Sequence, residues 1–182
     1  TGAYGSLGGP VLQRACTHAG GPYDIPNFEV LGMALYTNNT PSGAFRGFGV
    51  VQSQFGMETC VNELAEMVGL DAWEMRYLNV VRPGGCLPNG QIADESTGIA
   101  EVLESLKGDF YANPDAGLAV AHKNTGIGMG LTDTGRCILS VEQGKVHIRT
   151  SASCMGQGVG QVVVHVLSET VDLRPDQIVY EL

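Results

Sequence analysis

Apolar and polar residues follow a helical period in the first part of the chain. Apolar side chains recur three or four residues apart, as in amphipathic helices, in the three segments 11–19, 55–68 and 98–106. Asp71 predicts the N-cap of a further helix over 72–79, with Glu74 at the capping-box position. The apolar run 28–37 instead predicts a strand. This part is therefore predicted to be mainly helical.

The segment 55–68 has the clearest periodicity, and Gly69 supplies its stop signal. Its predicted apolar stripe consists of Phe55, Cys60, Val61, Leu64, Met67 and Val68. Three glutamates, Glu58, Glu63 and Glu66, lie off this stripe. We expect them to form a solvated helix face, because unpaired carboxylates are rarely buried.

The apolar period changes from 3.6 to 2 after the predicted linker 109–117. We predict a strand over 118–131 and a hairpin of 136–141 with 145–150 around a turn at 142–144. A glycine loop then opens a helix that runs to Val171, and a last strand follows over 177–182. The pattern indicates an α+β protein that divides near residue 113.

The composition excludes several classes of protein. The chain has 182 residues, of which 26 are Gly, with 43% hydrophobic and only 16% charged residues. This apolar content argues against a disordered chain, and the clustered glycines argue against collagen. No apolar run is long enough to predict a membrane span. The net charge is −9 without a Lys/Arg cluster, so we expect no nucleic-acid partner.

The cysteines and histidines do not predict a metal site in this chain. The five Cys form no CxxC pair, and the four His share no spacing that suits zinc. We expect the cysteines to be buried free thiols, which indicates a reducing, cytoplasmic location. The cysteines are Cys16, Cys60, Cys86, Cys137 and Cys154.

The first candidate for ligand binding is the loop 154–160, between a predicted strand and a predicted helix. Glycines let the backbone approach a ligand closely, and a helix N-terminus offers free N–H groups to an anion. The Gln157 amide can donate and accept hydrogen bonds. The pattern is equally compatible with a tight strand-to-helix turn without a ligand.

The second candidate is the loop 43–49, in which two Phe and one Arg stand among three Gly. Arg46 could bind an anion or a polar ring substituent, and Phe48 could stack on a flat ligand. The alternative is that both Phe residues anchor the core and that Arg46 is a surface charge.

These two loops, in this order and with this separation, resemble the molybdenum hydroxylase family, most closely its xanthine dehydrogenase branch. The resemblance rests on 44–49 (AFRGFG) and on 155–158 (MGQG), and further similar segments are 1–4, 11–15, 23–27 and 70–84. It implies an α+β fragment of the family's molybdopterin-binding domain, with mixed sheets and packed helices. Residues 1–112 would be the C-terminal part of the first molybdenum-cofactor-binding domain and 113–182 the N-terminal part of the second.

The resemblance also implies roles for individual residues. Arg14 would orient a heteroaromatic substrate and stabilise its developing charge, and Phe48 would stack on it. The residues implied to lie along the cofactor are Ala44, Phe45, Arg46, Gly47, Gly156, Gln157 and Gly158. No metal ligand is implied in this chain.

The implied activity is hydroxylation of a purine such as xanthine or hypoxanthine, or of a related N-heterocycle, with oxygen from water. An aldehyde or nicotinate-type hydroxylase is the alternative. Oxidation of carbon monoxide is disfavoured, since that branch has a Cys where this chain has Gly47. The implied cofactor is molybdopterin with molybdenum, as a cytosine dinucleotide or a mononucleotide. Iron–sulfur clusters and FAD would lie in other domains or subunits of an oligomeric enzyme.

The same resemblance predicts that this chain is an internal fragment. The family's general-base glutamate would follow Leu182, and a further glycine loop would precede Thr1. We therefore expect the isolated chain to bind no cofactor, to be inactive and to self-associate through exposed sheet edges. Met129 stands where many members have a second substrate-sandwiching phenylalanine, which argues against a strict preference for xanthine.

Overall fold

The computed structural model describes residues 2–126 and 132–181. The chain packs as two compact units, Thr1–Lys123 and Asn124–Leu182. The first unit extends past residue 113 because the segment after α4 packs back onto its helices, where Val120 is buried. The combination of helices with a mixed sheet confirms the predicted α+β class.

Four helices form the first unit, and each packs on the next along the chain. They are α1 (Gly8–Thr17), α2 (Val50–Val68), α3 (Ala72–Asn79) and α4 (Ile99–Ala112). All four predicted helices are confirmed: α3 has the predicted bounds, and each of the other three is shifted at one or both ends. Helix α4 continues into the predicted linker and ends at Ala112, because its C-cap Asn113 precedes Pro114 and is therefore disfavoured in a helical conformation.

Caps and aromatic packing explain the positions of α2 and α3. The Asp71 carboxylate accepts hydrogen bonds from the N–H groups of Trp73 and Glu74, both at 2.8 Å, as an N-cap residue should. Gly69 ends α2 in the left-handed conformation. The Trp73 indole donates to the Leu103 carbonyl at 2.8 Å and so ties α3 to α4. The core residues are Tyr23, Val61, Trp73, Val80, Leu103 and Val120.

The buried face of α2 differs from the predicted apolar stripe. Val61 is buried as expected, but Phe55 and Met67 are 78% and 80% exposed. The residues that α2 buries are Val50, Gln54, Glu58, Val61 and Ala65. Packing on α1 and α3 thus selects a face with two long polar side chains and leaves most of the apolar stripe uncovered in this unit.

Two predicted strands do not form in the described residues. Residues 28–37 are extended without a strand partner, and Leu31 and Met33 are largely exposed. Gly32 allows this segment to lie close to α1, because a Cβ there would lie 2.5 Å from the Cys16 sulfur. Residues 118–126 also pair with no strand, and the rest of that prediction, including Met129, lies outside the described residues.

The described residues of the second unit, 124–126 and 132–181, form a three-stranded sheet with one crossover helix. It contains β1 (Cys137–Glu142), β2 (Lys145–Thr150), α5 (Val159–Val171), a 3-10 turn (Pro175–Gln177) and β3 (Ile178–Glu181). Strand β2 is central, antiparallel to β1 and parallel to β3. The hairpin is confirmed: Gln143 and Gly144 have φ of 51° and 76°, which matches a type I′ turn.

Helix α5 connects the parallel strands β2 and β3 and packs closely on the latter. A Cβ at Gly160 would lie 2.9 Å from the Tyr180 ring, so glycine allows the close helix–strand contact. Ile148 and Ile178 are the buried strand residues. The predicted glycine loop therefore lies between the carboxyl end of β2 and the N-terminus of α5.

The cysteines are less buried than predicted. All five are free thiols, four of them exposed, and Cys16 is half-buried. The expectation of buried thiols is therefore wrong. In the part of the chain that the structure describes, no helix is long and apolar enough to cross a membrane.

Candidate functional site

The glycine loop before α5 places several backbone N–H groups near the Cys154 sulfur. Gly156 and Gly158 have φ of 97° and 75°, which glycine adopts without steric cost. The N–H groups of Gly156, Val159, Gly158 and Gln157 act on the Cys154 sulfur and hold the pKa of its thiol below the usual range. The loop is thus electrostatically suited to negative charge.

The Gln157 side chain closes this loop on itself. Its carbonyl oxygen accepts from the Met155 N–H at 2.5 Å, and its amide nitrogen donates to the Ser153 carbonyl at 3.1 Å. Both ends of the amide are therefore engaged within the loop. We infer that the Gln157 side chain stabilises the loop conformation and so keeps the backbone N–H groups in position.

The loop 43–49 turns sharply before α2. The Phe48 N–H donates to the Phe45 carbonyl at 2.7 Å, and the Val50 N–H donates to the Gly47 carbonyl at 3.0 Å. Gly47, Phe48 and Gly49 have φ of 97°, 52° and 98°. A positive φ is uncommon for a bulky residue and is concentrated at functional sites. The strained position of Phe48 therefore supports a functional role for this loop.

This loop packs against α1, the helix that carries Arg14. A Cβ at Gly49 would lie 2.2 Å from the Val11 carbonyl oxygen, so only glycine fits at this contact. Arg14 follows Val11 by about one helical turn and is half-buried. The structure thus brings Phe48 and Arg14 onto adjoining elements of one unit.

The other predicted residues of this loop lie at the surface of the first unit. Phe45 is 84% exposed, and Ala44 and Arg46 are also exposed. The alternative that both Phe residues anchor the core is wrong for Phe45, whereas Phe48 is half-buried. The predicted residues Gly156, Gln157 and Gly158 belong to the second unit, in the loop described above.

Glu58 is the main residue of this region that sequence reasoning missed. It was expected on a solvated face but is only 7% exposed. Its carboxylate accepts from the Tyr23 hydroxyl at 2.5 Å, from Arg76 Nε at 2.8 Å and from the Val120 N–H at 2.8 Å. The sequence signal that could have indicated this burial is the four-residue spacing of Gln54 and Glu58, which places both side chains on the same face of α2.

Arg76 completes this buried network from α3. It is fully buried, and its remaining guanidinium nitrogens donate to Asn62 Oδ1 at 2.8 Å and to the Ala72 carbonyl at 2.9 Å. Burial and the adjacent Glu58 carboxylate raise the pKa of Tyr23. The network fixes α2, which begins two residues after Phe48, to α3 and to the segment around Val120.

A second buried polar cluster joins α2 to the end of α1. Gln54 donates from its amide nitrogen to the His18 carbonyl at 3.0 Å, and the His18 Nδ1 lies 3.1 Å from the Arg14 carbonyl. The His122 ring lies 5.2 Å from the His18 ring. Burial and the neighbouring His18 lower the pKa of His122. Sequence patterns gave no indication of this cluster.

No set of three His, Cys, Asp or Glu side chains in residues 2–126 and 132–181 could hold a metal ion. Each unit therefore has its own candidate site. The first unit has Phe48 on a loop that packs against the Arg14 helix, and the second unit has the backbone N–H groups of the glycine loop before α5.

Comparisons with known proteins identify the family to which this chain is similar. The model of the family "Molybdopterin cofactor-binding domain" matches residues 1–80. The chain is 33% identical over 190 residues to a probable xanthine dehydrogenase subunit of Bacillus subtilis, covering 98% of this chain and 25% of that protein. It is 45% identical over 107 residues to the nicotinate dehydrogenase large molybdopterin subunit of Eubacterium barkeri, covering 59% of this chain and 25% of that protein.

A solved structure shares the fold over almost the whole chain. The aldehyde oxidoreductase of Desulfovibrio gigas matches with a TM-score of 0.77 and 25% identity, covering 99% of this chain and 21% of that one. The chain thus spans about a quarter of the length of the curated relatives named above.

Fold, loops and comparisons place the chain among the molybdopterin-binding oxidoreductases. It belongs to the molybdenum hydroxylase family and corresponds to part of that family's molybdopterin-binding portion. The resemblance seen in 44–49 and 155–158 is thereby confirmed.

Proposed function

We propose that this chain forms part of a molybdenum hydroxylase that hydroxylates purines such as xanthine or hypoxanthine, or related N-heterocycles, with oxygen derived from water. The observation that carries the proposal is the strained Phe48, on a loop that packs against the helix of Arg14. An aromatic face and a guanidinium on adjoining elements suit a flat, polar heterocycle.

We propose that the loop 154–159 holds the phosphate or pterin end of the cofactor. Its convergent N–H groups already stabilise negative charge on the Cys154 sulfur, which is the property that a phosphate requires. Gly156, Gln157 and Gly158 would form this cradle, and Ala44, Phe45, Arg46 and Gly47 would lie beside the molybdenum. When bound, the molybdenum centre supplies the redox chemistry by accepting the two electrons removed from the substrate.

Arg14 and Phe48 would act on the substrate itself. Stacking on Phe48 fixes the plane of the ring. A guanidinium keeps its charge at all relevant pH values, so Arg14 would stabilise negative charge that develops on ring oxygens and nitrogens during attack at carbon.

The rest of the enzyme is proposed from the family and from the relatives' names. By the resemblance, residues 1–112 would be the C-terminal part of the first molybdenum-cofactor-binding domain, and residues 113–182 would be the N-terminal part of the second. Two relatives are named as subunits, which supports further subunits here, carrying iron–sulfur clusters and FAD in a cytoplasmic oligomer. A cytosine dinucleotide or mononucleotide form of molybdopterin would serve as cofactor. The isolated chain would bind no molybdenum, and stoichiometric metal in it would contradict this proposal.

Nicotinate is the second candidate substrate. The observation in its favour is the 45% identity to a nicotinate dehydrogenase subunit. Arg14 fits either substrate, because a guanidinium pairs with a carboxylate as well as with a ring oxygen. An aldehyde is the third candidate, since one structural relative is an aldehyde oxidoreductase.

Turnover by the full enzyme would test the substrate class. Xanthine, hypoxanthine, nicotinate and benzaldehyde should be compared in wild type and in Arg14→Met. For a purine hydroxylase we expect Arg14→Met to lower kcat/KM with xanthine by about 100-fold or more. The exposed Arg136→Met is the matched control and should leave kcat/KM within about twofold. Unchanged turnover of both purines in Arg14→Met would overturn the purine assignment.

Gly158→Ala would test the cofactor cradle. A Cβ at this left-handed position costs about 1–2 kcal/mol and would also lie 3.4 Å from Gln161 Oε1. We expect the purified full enzyme to contain less molybdenum and less pterin than wild type. Gly108→Ala, on α4 with no atom within 4 Å of the added Cβ, should keep the wild-type content. Full occupancy in Gly158→Ala would contradict the cradle.

A further inference from the structure

We infer that Gln54 is a positioning residue. By its hydrogen bond to the backbone at the end of α1, it fixes the position of Arg14 relative to Phe48. The inference rests on the function proposed above, in which Arg14 and Phe48 contact the substrate. It concerns a side chain on the buried face of α2 that lies in neither of the predicted site loops.

Two contacts between α1 with its C-cap and the start of α2 with its N-cap bear on the position of Arg14. At the first, Gly49 lies so close to the Val11 carbonyl that a Cβ would approach its oxygen to 2.2 Å. At the second, the Gln54 amide donates to the His18 carbonyl at 3.0 Å. Gln54 is 4% exposed, so water competes little for this hydrogen bond.

The two contacts lie on either side of Arg14. Val11 precedes it by about one turn and His18 follows it by about one turn, so they are roughly 10 Å apart along the helix axis. The contact at His18 adds a hydrogen bond at the C-terminal end of α1 to the packing at Val11. Contacts on both sides of Arg14 restrict tilting of α1 and so restrict the direction from which the Arg14 side chain leaves the helix.

A short chain of hydrogen bonds links Gln54 to Arg14 itself. The His18 Nδ1 lies 3.1 Å from the Arg14 carbonyl oxygen, which can only accept, so Nδ1 carries the proton. His18 is 1% exposed and packs against the His122 ring. Gln54 thus binds the carbonyl of His18, and the His18 ring binds the carbonyl of Arg14.

The contact between α2 and α1 also links the elements that carry Phe48 and Arg14, the two residues proposed to contact the substrate. Phe48 directly precedes Gly49, and Gln54 lies in the second turn of the helix that begins at Val50. The same short stretch, 48–54, therefore carries the aromatic residue and both contacts to the Arg14 helix. A displacement of about 1 Å between such groups can cost about 100-fold in rate.

A double-mutant cycle in the full enzyme tests this inference. Gln54→Met keeps the side-chain volume but removes the amide donor. With the best substrate among xanthine, hypoxanthine and nicotinate, we expect Gln54→Met to lower kcat/KM about tenfold, mainly through kcat. Gln13→Met, an exposed neighbour of Arg14 on α1, is the matched control and should stay within about twofold.

The coupling between the two positions separates positioning from a purely structural role. In the Arg14→Met background, Gln54→Met should change kcat/KM by less than about twofold, because the group that it positions is gone. Full additivity would overturn the inference while leaving the proposed function intact. If Arg14→Met alone has no effect, the proposed role of Arg14 fails, and the inference fails with it.

A second measurement does not depend on turnover. Hydrogen exchange of the 11–18 peptide should be faster in Gln54→Met than in Gln13→Met, with residues 99–112 unchanged in both. Gln54→Leu, which also lacks the donor, should reproduce this pattern if Gln54→Met does not fold. Unchanged exchange in 11–18 in the variant that folds would contradict the second contact.

Discussion

The two units hold their candidate site residues by different means. In the first unit, Phe48 and Arg14 lie on elements fixed by buried side-chain pairs, of which Glu58 with Arg76 is the most deeply buried. In the second unit, the loop 154–159 is exposed and is shaped by left-handed glycines and by the amide of one glutamine.

The difference follows from what each site would bind. A substrate ring needs one aromatic face and one charge in a defined direction, and long side chains keep a direction only when their neighbours are fixed. A phosphate spreads its charge over several oxygens and is well bound by several backbone N–H groups, which need little support from the core. The first unit therefore depends on its interior, and the second on its loop conformation.

The largest expected effect comes from breaking the buried pair. Arg76→Met leaves the Glu58 carboxylate buried without its charged partner, which costs about 3–5 kcal/mol. We expect the free energy of unfolding of the first unit to fall by this amount. Trp73 is the only tryptophan and lies in this unit, so its fluorescence during urea unfolding of the chain measures the change.

Two controls show whether the effect belongs to the pair. Glu63→Gln lies on the exposed face of α2, the helix that carries Glu58. It should change the free energy of unfolding by less than about 0.5 kcal/mol. Arg174→Met, whose exposed side chain pairs with Asp176 in the second unit, should leave the Trp73 transition in place. A wild-type transition in Arg76→Met would mean that the network does not hold the first unit together.

Gly49→Ala tests the contact between the Phe48 loop and α1. The new Cβ would meet the Val11 carbonyl oxygen, and φ at this position is 98°. We expect a loss of about 2–3 kcal/mol in the same Trp73 assay. Gly56→Ala is the control of opposite sign: its Cβ meets nothing within 4 Å inside α2, so it should stabilise by about 0.5–1 kcal/mol. Equal effects of the two substitutions would disprove the contact.

Much of the fold follows from local signals in the sequence. The Asp71 cap, the Gly69 stop and the hairpin around 142–144 each depend on residues within a few positions of one another, so they could be predicted. The two candidate loops were found for the same reason, because the special conformations of 43–49 and 154–160 are encoded by their own glycines.

The failed predictions of strands and of helix burial depend on partners that are distant in the sequence. Residues 28–37 have strand-like composition, but a strand exists only where another strand pairs with it. Glu58 is buried because Tyr23, Arg76 and the Val120 N–H reach it from 35, 18 and 62 positions away. Gln54 is missed in the same way, since its partner is a backbone carbonyl 36 positions earlier. Hydropathy along one helix contains none of this information.

The smallest expected effect concerns the second unit and its exposed loop. The N–H groups of Gly156, Val159 and their neighbours lower the pKa of the Cys154 thiol, so its thiolate persists to lower pH than in the unfolded chain. Because the thiolate is the nucleophile, iodoacetamide at pH 7 should alkylate Cys154 about threefold faster or more in the folded chain than in urea. Mass spectrometry of the labelled peptides gives the rates.

Inorganic phosphate would sharpen this measurement. An anion held by the same N–H groups competes with the thiolate for them and repels it, so phosphate should slow the labelling of Cys154. Cys60, exposed on α2 in the first unit, is the internal reference and should keep its rate at equal ionic strength. Equal slowing at both cysteines would show a general salt effect. That result would contradict the proposal that the second unit binds anions through its backbone N–H groups. The proposed contrast with the first unit, whose candidate site depends on buried side chains, would then fail.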